Sequence, residues 1–224
     1  MLLQLHDHLW ENDEPLTVLG MALGHRMTVA RLPDGSLWVH SPVAYDAELA
    51  AELDALGPVS QIVAPNCMHD TYLSGWLPKY PRVRFHAPPG FAKRYPHLPV
   101  TDTLGAEPPE AWGGVFDQHL MRGMPVLNEF VFLHRPSRTL IVADLTFNLG
   151  SDMPWLSRQL CRLNGCYCRF GPSRMFKSVI RDQAALRRSL EHVLGWDFDG
   201  IVLSHGANVV SGAKEALREA YGFL

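Results

Sequence analysis

The segment Ser137–Asp144 reads SRTLIVAD and decides the fold, because a run of apolar and β-branched residues ends there on an acidic side chain. Such a run is typical of a buried β-strand. Residues at the point where a strand gives way to a loop often carry chemistry, since the scaffold holds them while the loop exposes them. Asp144 is therefore the first candidate site residue.

A second β-prone run, Phe130–Leu133, precedes this segment, and the Arg-Pro-Ser-Arg stretch between the two predicts a hairpin turn. If the turn pairs His134 with Thr139, Glu129 lies opposite Asp144 on the same face, with the Cβ atoms about 4.5–5.5 Å apart. Two carboxylates so placed repel each other unless they share a proton, a metal or a cationic partner. His134 then lies at the far end of its strand, outside any site.

Two further strands end on titratable side chains. The segment Ala64–Asp70 (APNCMHD) follows one buried apolar run and offers His69 and Asp70, and Leu203–Gly206 (LSHG) follows another and offers His205. Each residue alone has an ordinary explanation, because an acid can cap a turn and a histidine can bond to backbone. We expect the three strand ends to converge and to place an aspartate and an imidazole around one pocket.

The remaining pattern predicts a layered α/β fold. Residues 27–32 and 37–40 flank an Asp-Gly turn and predict a hairpin. Apolar periodicity predicts helices over 153–163 and 173–195, and a proline-rich stretch over 96–113 is interpreted as a covering loop. Strands that alternate with helices favour mixed sheets with helices packed outside them.

Composition limits the class of protein. The chain has 224 residues, of which 47% are apolar and 19% charged, with a formal net charge of -3. It can therefore bury a core, and we expect one domain over residues 1–224. No apolar run reaches the roughly 18 residues that crossing a bilayer requires, and the N-terminus lacks the features of a signal peptide. These features predict a cytoplasmic protein without a membrane partner.

The four cysteines are too few for a disulfide scaffold, so reduced thiols are expected. Cys161, Cys166 and Cys168 lie close together, in a spacing that matches no common zinc motif. Ordinary packing is one interpretation of this group. A thiol-based metal or cluster site is the other.

Basic side chains are concentrated between Arg158 and Arg188, where Asp182 is the only acid. Several of them, including Arg174, fall near one stripe of the predicted helix. One interpretation is a solvated helix surface. The other is a clamp for an anionic substrate, since a guanidinium group matches carboxylate and phosphate. Nucleic-acid binding is not expected, because the chain is slightly acidic and carries no aromatic and basic recognition motif.

The sequence resembles the metallo-β-lactamase-like superfamily, and within it a bacterial branch of unknown function. The resemblance covers nearly the whole chain and rests on the order of elements and on four short motifs: Leu37–Pro42, Ile62–Asn66, Ser137–Asp144 and Leu203–Gly206. It implies an α/β fold of four layers, an αββα sandwich of mixed sheets, with the site along one edge of the two sheets.

The resemblance also implies a metal-binding set. Asp144 matches the bridging aspartate of the superfamily's enzymes, and His205 matches their last histidine. In the enzymes' first run of His, His, Asp and His, Asp70 matches the Asp, and the three histidines are replaced by Asn66, Met68 and Thr71. A shift of one residue would bring His69 into the site, and Met124 stands where the intermediate histidine is expected.

These departures leave two hypotheses. In the first, the protein is a metal-dependent hydrolase that acts on a small ester-type substrate, anionic if the basic stretch contacts it. One divalent metal (zinc, iron or manganese) is then held by His69, Asp144, His205 and Glu129, and it lowers the pKa of a coordinated water toward about 7. In the second hypothesis no metal is bound, and an inactive fold binds a small anion or a protein partner.

The first hypothesis assigns roles to four more residues. Asp70 would orient the attacking water, and His40, at the end of its own strand, would reach the mouth of the site as a second catalytic group. Asn66 and Arg174 would bind the substrate. The identity of that substrate is not fixed by the fold.

Overall fold

A computed structural model describes all of residues 1–224. The strands are, in chain order, β1 (Leu3–His6), β2 (Leu9–Glu14), β3 (Thr17–Val18), β4 (Met21–Ala22), β5 (His25–Arg31), β6 (Leu37–His40), β7 (Val59–Val63), β8 (Arg84–Ala87), β9 (Asp102–Thr103), β10 (Phe116–Leu120), β11 (Phe130–His134), β12 (Thr139–Val142), β13 (Phe147–Asn148), β14 (Phe170–Gly171) and β15 (Gly200–Leu203). The helices are α1 (Ala47–Leu56), α2 (Leu73–Trp76), α3 (Phe91–Arg94), α4 (Trp155–Asn164), α5 (Arg174–Ser178), α6 (Gln183–Leu194) and α7 (Ala213–Ala220). None of these helices combines the length and the apolar character needed to cross a membrane.

Two mixed sheets form the centre of the structure. The larger has the strand order β1-β2-β5-β6-β7-β8-β9, antiparallel as far as β6 and parallel from there on. The smaller has the order β10-β11-β12-β15, and its last pair, β12 and β15, is parallel. Parallel neighbours need a crossover connection, which α1 supplies between β6 and β7 and the helices α4 to α6 supply between β12 and β15.

Local sequence explains how the first crossover is built. The Asp46 carboxylate accepts hydrogen bonds from the backbone N–H groups of Glu48 and Leu49, which caps the start of α1. The helix ends at Gly57, where a Cβ atom would lie 2.2 Å from the carbonyl oxygen of Gly35. Glycine is therefore needed at this position for the helix end to pack against the β5–β6 turn.

The apolar side chains form three clusters that define the layers. The middle cluster lies between the two sheets and includes Trp38, Phe116, Phe132 and Ile141. A second cluster lies between the larger sheet and α1 to α3, and a third lies between the smaller sheet and α4 to α7. The order of layers is helix, sheet, sheet, helix, which confirms the αββα sandwich.

The β11–β12 hairpin has the register predicted from the sequence. Phe132 pairs with Ile141, Leu133 with Leu140, and His134 with Thr139. His134 is fully buried at the turn end of the hairpin, where its Nδ1 lies 2.7 Å from Ser137 Oγ.

Two predictions about the segments were wrong. The helix predicted over 173–195 is two helices, α5 and α6, because the carboxylate of Asp182 accepts the N–H of Ala185 and starts a new helix. The stretch 96–113 is more than a covering loop, since it supplies β9 to the larger sheet and buries Trp112 in the core between the sheets.

A candidate metal-binding site at the strand ends

Three titratable side chains meet where three strands end. His69 follows β7, Asp144 follows β12 and His205 follows β15, and the last two strands are adjacent and parallel, so their carboxyl ends open at the same edge. One ligand atom from each residue lies within 4.8 Å of the others. The structure therefore brings His69, Asp144 and His205 together.

The local backbone presents His205 to this group. Gly206 has a φ of 97°, and a Cβ atom there would lie 2.2 Å from the carbonyl oxygen of Asn148. The chain can therefore turn directly after His205 only with glycine at 206. The His205 ring also stacks on Phe147 at 5.4 Å between centroids.

Hydrogen bonds on the far side of each imidazole set its orientation. Nδ1 of His205 lies 2.7 Å from the carbonyl oxygen of Gly24, which can only accept, so Nδ1 carries the hydrogen. Nδ1 of His69 lies 2.6 Å from Ser41 Oγ. Both Nε2 atoms then face Asp144, at 3.4 Å from Oδ2 for His69 and 3.4 Å from Oδ1 for His205.

This arrangement fits a divalent metal. In the neutral ring, Nε2 of His205 is a bare acceptor that faces a carboxylate oxygen, so a cation, either a proton or a metal, is needed between them. Two ligands each about 2.0–2.1 Å from a tetrahedral zinc lie ~3.3 Å apart, close to the separations found here. Two imidazoles and one carboxylate also suit iron. The set would hold one metal and leave positions open for water or substrate.

The pKa values follow from the same contacts. Burial acts to raise the pKa of Asp144, but hydrogen bonding and charge from His205 and His69 outweigh it and hold that pKa well below its usual value. Burial acts to lower the pKa of His205, yet Asp144, the Gly24 carbonyl and Glu129 together raise it above its usual value. The Asp144 carboxylate thus stays ionised and can bind a cation.

A cavity of about 230 Å³ opens over the three residues. Most of its wall is apolar and includes Leu23, Leu127, Phe147 and Phe176. No lysine or arginine lines it, and Asp144 is the only acid that does.

A model of the family described as "Domain of unknown function (DUF4336)" matches residues 6–167. The chain belongs to the DUF4336 family. No curated protein matches it.

Solved structures show the fold to which this DUF4336 protein is similar. The DIM-1 metallo-β-lactamase has a TM-score of 0.70 and 12% sequence identity, with 100% of this chain and 97% of that chain covered. The metallo-β-lactamase from Pontibacter korlensis has a TM-score of 0.66 and 11% identity, covering 100% and 99%. FIM-1 from Pseudomonas aeruginosa, in its mono-zinc form, has a TM-score of 0.63 and 11% identity, covering 99% and 91%. The DUF4336 chain has the metallo-β-lactamase fold.

Glu129 does not join the candidate metal-binding group, although its carboxylate lies against the backbone of Asp144. Its fully buried carboxylate accepts the backbone N–H groups of residues 143, 144 and 145, at 2.9, 3.0 and 3.0 Å. Burial and the charge of Asp144 raise the pKa of Glu129, while these donors act against that rise. Glu129 therefore holds the turn that presents Asp144, because that turn directs its N–H groups inward.

Asn66 also contacts Asp144. Its Nδ2 donates to Asp144 Oδ2 at 2.8 Å, and its Oδ1 accepts the N–H of Met68. The side chain is fully buried and does not line the cavity, so its place differs from the one expected of a substrate-binding group.

Three other predicted site residues do not line the cavity. His40 is fully buried and stacks on Trp38 at 5.4 Å, so it does not reach the mouth of the site. Asp70 lies near the Tyr95 hydroxyl and does not line the cavity. Arg174 is exposed and donates to the carbonyl oxygen of Leu163, so its guanidinium points outward.

Sequence reasoning missed His25, which lines the cavity at the start of β5. Its ring centroid lies 5.3 Å from that of His69 and 6.1 Å from that of His205. Its Nε2 lies 3.2 and 3.1 Å from the carbonyl oxygens of Ser41 and Pro42, so that atom carries the hydrogen and Nδ1 is left bare. Burial, with His69 and His205 nearby, lowers its pKa to about 3. The available signal was a histidine at the first position of a strand that was predicted to begin two residues later.

The cysteine group gives no thiol-based metal set. Cys161 and Cys166 are buried, Cys168 is exposed, and the three do not form a metal-holding group. Cys166 does line the cavity, where burial raises its pKa to about 12 and keeps the thiol neutral.

Proposed function

We propose that this DUF4336 protein is a metal-dependent hydrolase that cleaves an ester-type bond, with one divalent metal held by His69, Asp144 and His205. The observation that carries the proposal is the placement of two imidazole Nε2 atoms 3.4 Å from the two oxygens of one ionised carboxylate, at the base of a cavity. The metallo-β-lactamase fold supports it as a scaffold on which such sites are found.

When bound, the metal would polarise a substrate carbonyl and lower the pKa of a coordinated water toward about 7. The protein's own groups would prepare the site for that chemistry. Ser41 and the Gly24 carbonyl orient the two imidazoles from behind. Asn66 and Glu129 fix the Asp144 carboxylate and its turn. The apolar wall excludes bulk water.

His25 is suited to act on the water itself. Its bare Nδ1 is the one ring nitrogen beside the site that is not engaged by Ser41, Asp144 or a carbonyl group. It could accept a hydrogen bond from a water molecule in the cavity and so orient that water toward a substrate carbonyl. This is the role that the sequence assigned to Asp70.

The test is metal content and hydrolysis in wild type, Asp144→Ala and Asp70→Ala. Wild type is expected to bind about one equivalent of zinc, iron or manganese and to hydrolyse activated esters such as p-nitrophenyl butyrate. Asp144→Ala should lose both properties, because it removes the carboxylate that lies between the two histidines in the candidate metal-binding group. Asp70→Ala is the matched control and should keep both, since Asp70 does not line the cavity.

Circular dichroism and thermal unfolding would show that Asp144→Ala remains folded, with His205→Gln as a second variant of nearly conserved shape. If wild type bound no metal at micromolar concentration, the inactive-fold hypothesis would replace the enzyme. If Asp144→Ala retained full metal occupancy in a folded state, the metal set would be wrong.

A further inference from the structure

We infer that the substrate is a neutral ester or thioester with an apolar acyl chain, and that the chain fills the cavity over the metal-binding group. This inference rests on the proposed function for the identity of the scissile bond. The inference that the acyl chain is apolar and neutral rests on the cavity alone.

The first support is the apolar character of the residues that line the cavity. Eleven of the 18 lining residues are hydrophobic, so most contacts available to a bound molecule are with aliphatic, thioether or aromatic carbon. The titratable groups of the wall are the cluster His25, His69, Asp144 and His205 together with Cys166, while the polar side chains of Asn164 and Ser173 are engaged by backbone N–H groups of α5. A molecule with one polar carbonyl and one apolar tail matches this division, since the polar end would meet the site and the tail would meet the wall.

The second support is the distribution of charge. No lysine or arginine lines the cavity, so an anionic group on the acyl chain, away from the histidines, would lose its hydration without gaining a partner. The basic residues nearby have other contacts. Arg174 donates to the Leu163 carbonyl, Lys177 lies over the ring of Phe223, and Arg162 over the ring of Tyr167. The basic stretch therefore offers no clamp inside the cavity, and the cavity favours a neutral substrate over an anionic one.

The third support is the mouth of the cavity. Val18, Met68 and Met175 line the cavity and are also exposed, at 39, 48 and 48%. Apolar surface is therefore continuous from the interior to the solvent at this point. A chain too long for the interior could lie over these residues, and methionine side chains adapt readily to different apolar shapes.

The reaction is ordinary hydrolysis. The oxygen of water bonds to the acyl carbon, and the bond from that carbon to the leaving oxygen or sulfur breaks with its electron pair. One water proton goes to the leaving alcohol or thiol. The other is released when the product acid ionises, so no oxidant, reductant or further reactant is required.

The kinetic test compares p-nitrophenyl esters that share one leaving group. Acetate, butyrate, hexanoate and octanoate vary the chain, and the adipate monoester places a carboxylate at the end of a hexanoate-length chain. We expect kcat/KM to rise by up to about fourfold for each added methylene that is buried. We expect the adipate monoester to react at least tenfold more slowly than the hexanoate.

A binding test measures whether the cavity accepts an apolar molecule, independently of catalysis. The neutral fluorophore N-phenyl-1-naphthylamine should bind metal-free protein and be displaced by octanamide but not by adipate. Met175→Gln and Val18→Gln place polar groups on the cavity rim and should weaken both binding and the preference for octanoate at least threefold. Leu156→Gln is the matched control, an equivalent substitution at an exposed residue that does not line the cavity.

The outcomes distinguish the two proposals. If the fluorophore bound, the rim variants weakened its binding and no ester was hydrolysed, the proposal of an apolar ligand site would stand and the proposed hydrolase function would be wrong. Hydrolysis that ignores chain length, or that favours the adipate monoester, would overturn the inference and leave the hydrolase in place. Absence of both binding and hydrolysis would overturn both.

Discussion

At the scale of single residues, the site depends on groups behind the ligands as much as on the ligands. Ser41 Oγ lies 2.6 Å from His69 Nδ1 and is buried, so it holds the ring in the orientation that directs Nε2 toward Asp144. Partners of this kind typically change metal affinity by about 10–100-fold when they are removed. Asn66 and Glu129 hold Asp144 in a similar way: Asn66 donates to its carboxylate, and Glu129 accepts its backbone N–H.

Ser41→Ala should therefore weaken zinc binding by roughly 10–100-fold while the fold is retained. The measurement is a competition titration of zinc against a chromophoric chelator. Ser204→Ala is the control, because Ser204 is also buried and precedes His205, but its hydroxyl contacts only the Val142 carbonyl, at 3.5 Å. Equal zinc affinities in the two variants would show that the Ser41 hydroxyl does not orient His69.

At the scale of elements, Arg26 ties the larger sheet to the loop that carries His205. From β5 its Nη1 donates to the carbonyl oxygens of Leu203 and Gly206, at 2.6 and 2.8 Å. On the other side its Nε lies 2.9 Å from Glu11 Oε2, with both side chains 8% exposed. Burial raises the pKa of Glu11 although Arg26 acts to lower it, so Glu11 depends on this partner to stay ionised.

Arg26→Met should lower the free energy of unfolding by about 3–5 kcal/mol, because it leaves a buried carboxylate without its cation. Arg84→Met is the control, since Arg84 in the Arg84–Asp102 pair is exposed and solvent weakens such pairs, so its loss should be much smaller. Urea unfolding of both variants measures the difference. A similar small loss in both would mean that Arg26 does not hold the two sheets together.

The elements also show what the sequence could predict. The β11–β12 register follows from a short turn and two apolar runs, so local information was sufficient to place Glu129 opposite Asp144. The inward N–H groups after Val142, which engage Glu129, depend on backbone geometry that no residue pattern reports. His25 was missed because its position beside His69 and His205 follows from the order of strands in the larger sheet and from the packing of the two sheets.

At the scale of the whole molecule, several histidines are enclosed in the fold and not only at the site. His86 is 2% exposed and His134 is fully buried. Burial lowers the pKa of each to about 4, in His134 together with the neighbouring His6 and His8.

These shifts make stability depend on pH. Between pH 6.5 and 4 the unfolded chain binds protons at these rings and the folded chain does not, so stability rises with pH in that window. As the pH falls below about 6.5, each such ring should remove up to about 1.4 kcal/mol per pH unit, and the loss should level off below the folded pKa near 4.

Metal-free protein unfolded in urea at pH 7, 6 and 5 should therefore lose stability steadily, and His134→Gln should reduce the slope by up to about 1.4 kcal/mol per pH unit. His134 suits this test because it lies at the turn end of its hairpin, away from the metal-binding group, so metal and proton binding are not confused. His97→Gln, which removes an exposed ring, should leave the slope unchanged. If His134→Gln and His97→Gln gave the same slope as wild type, enclosed His134 would not be a source of acid sensitivity, and the loss of stability would have to come from other groups, such as His86.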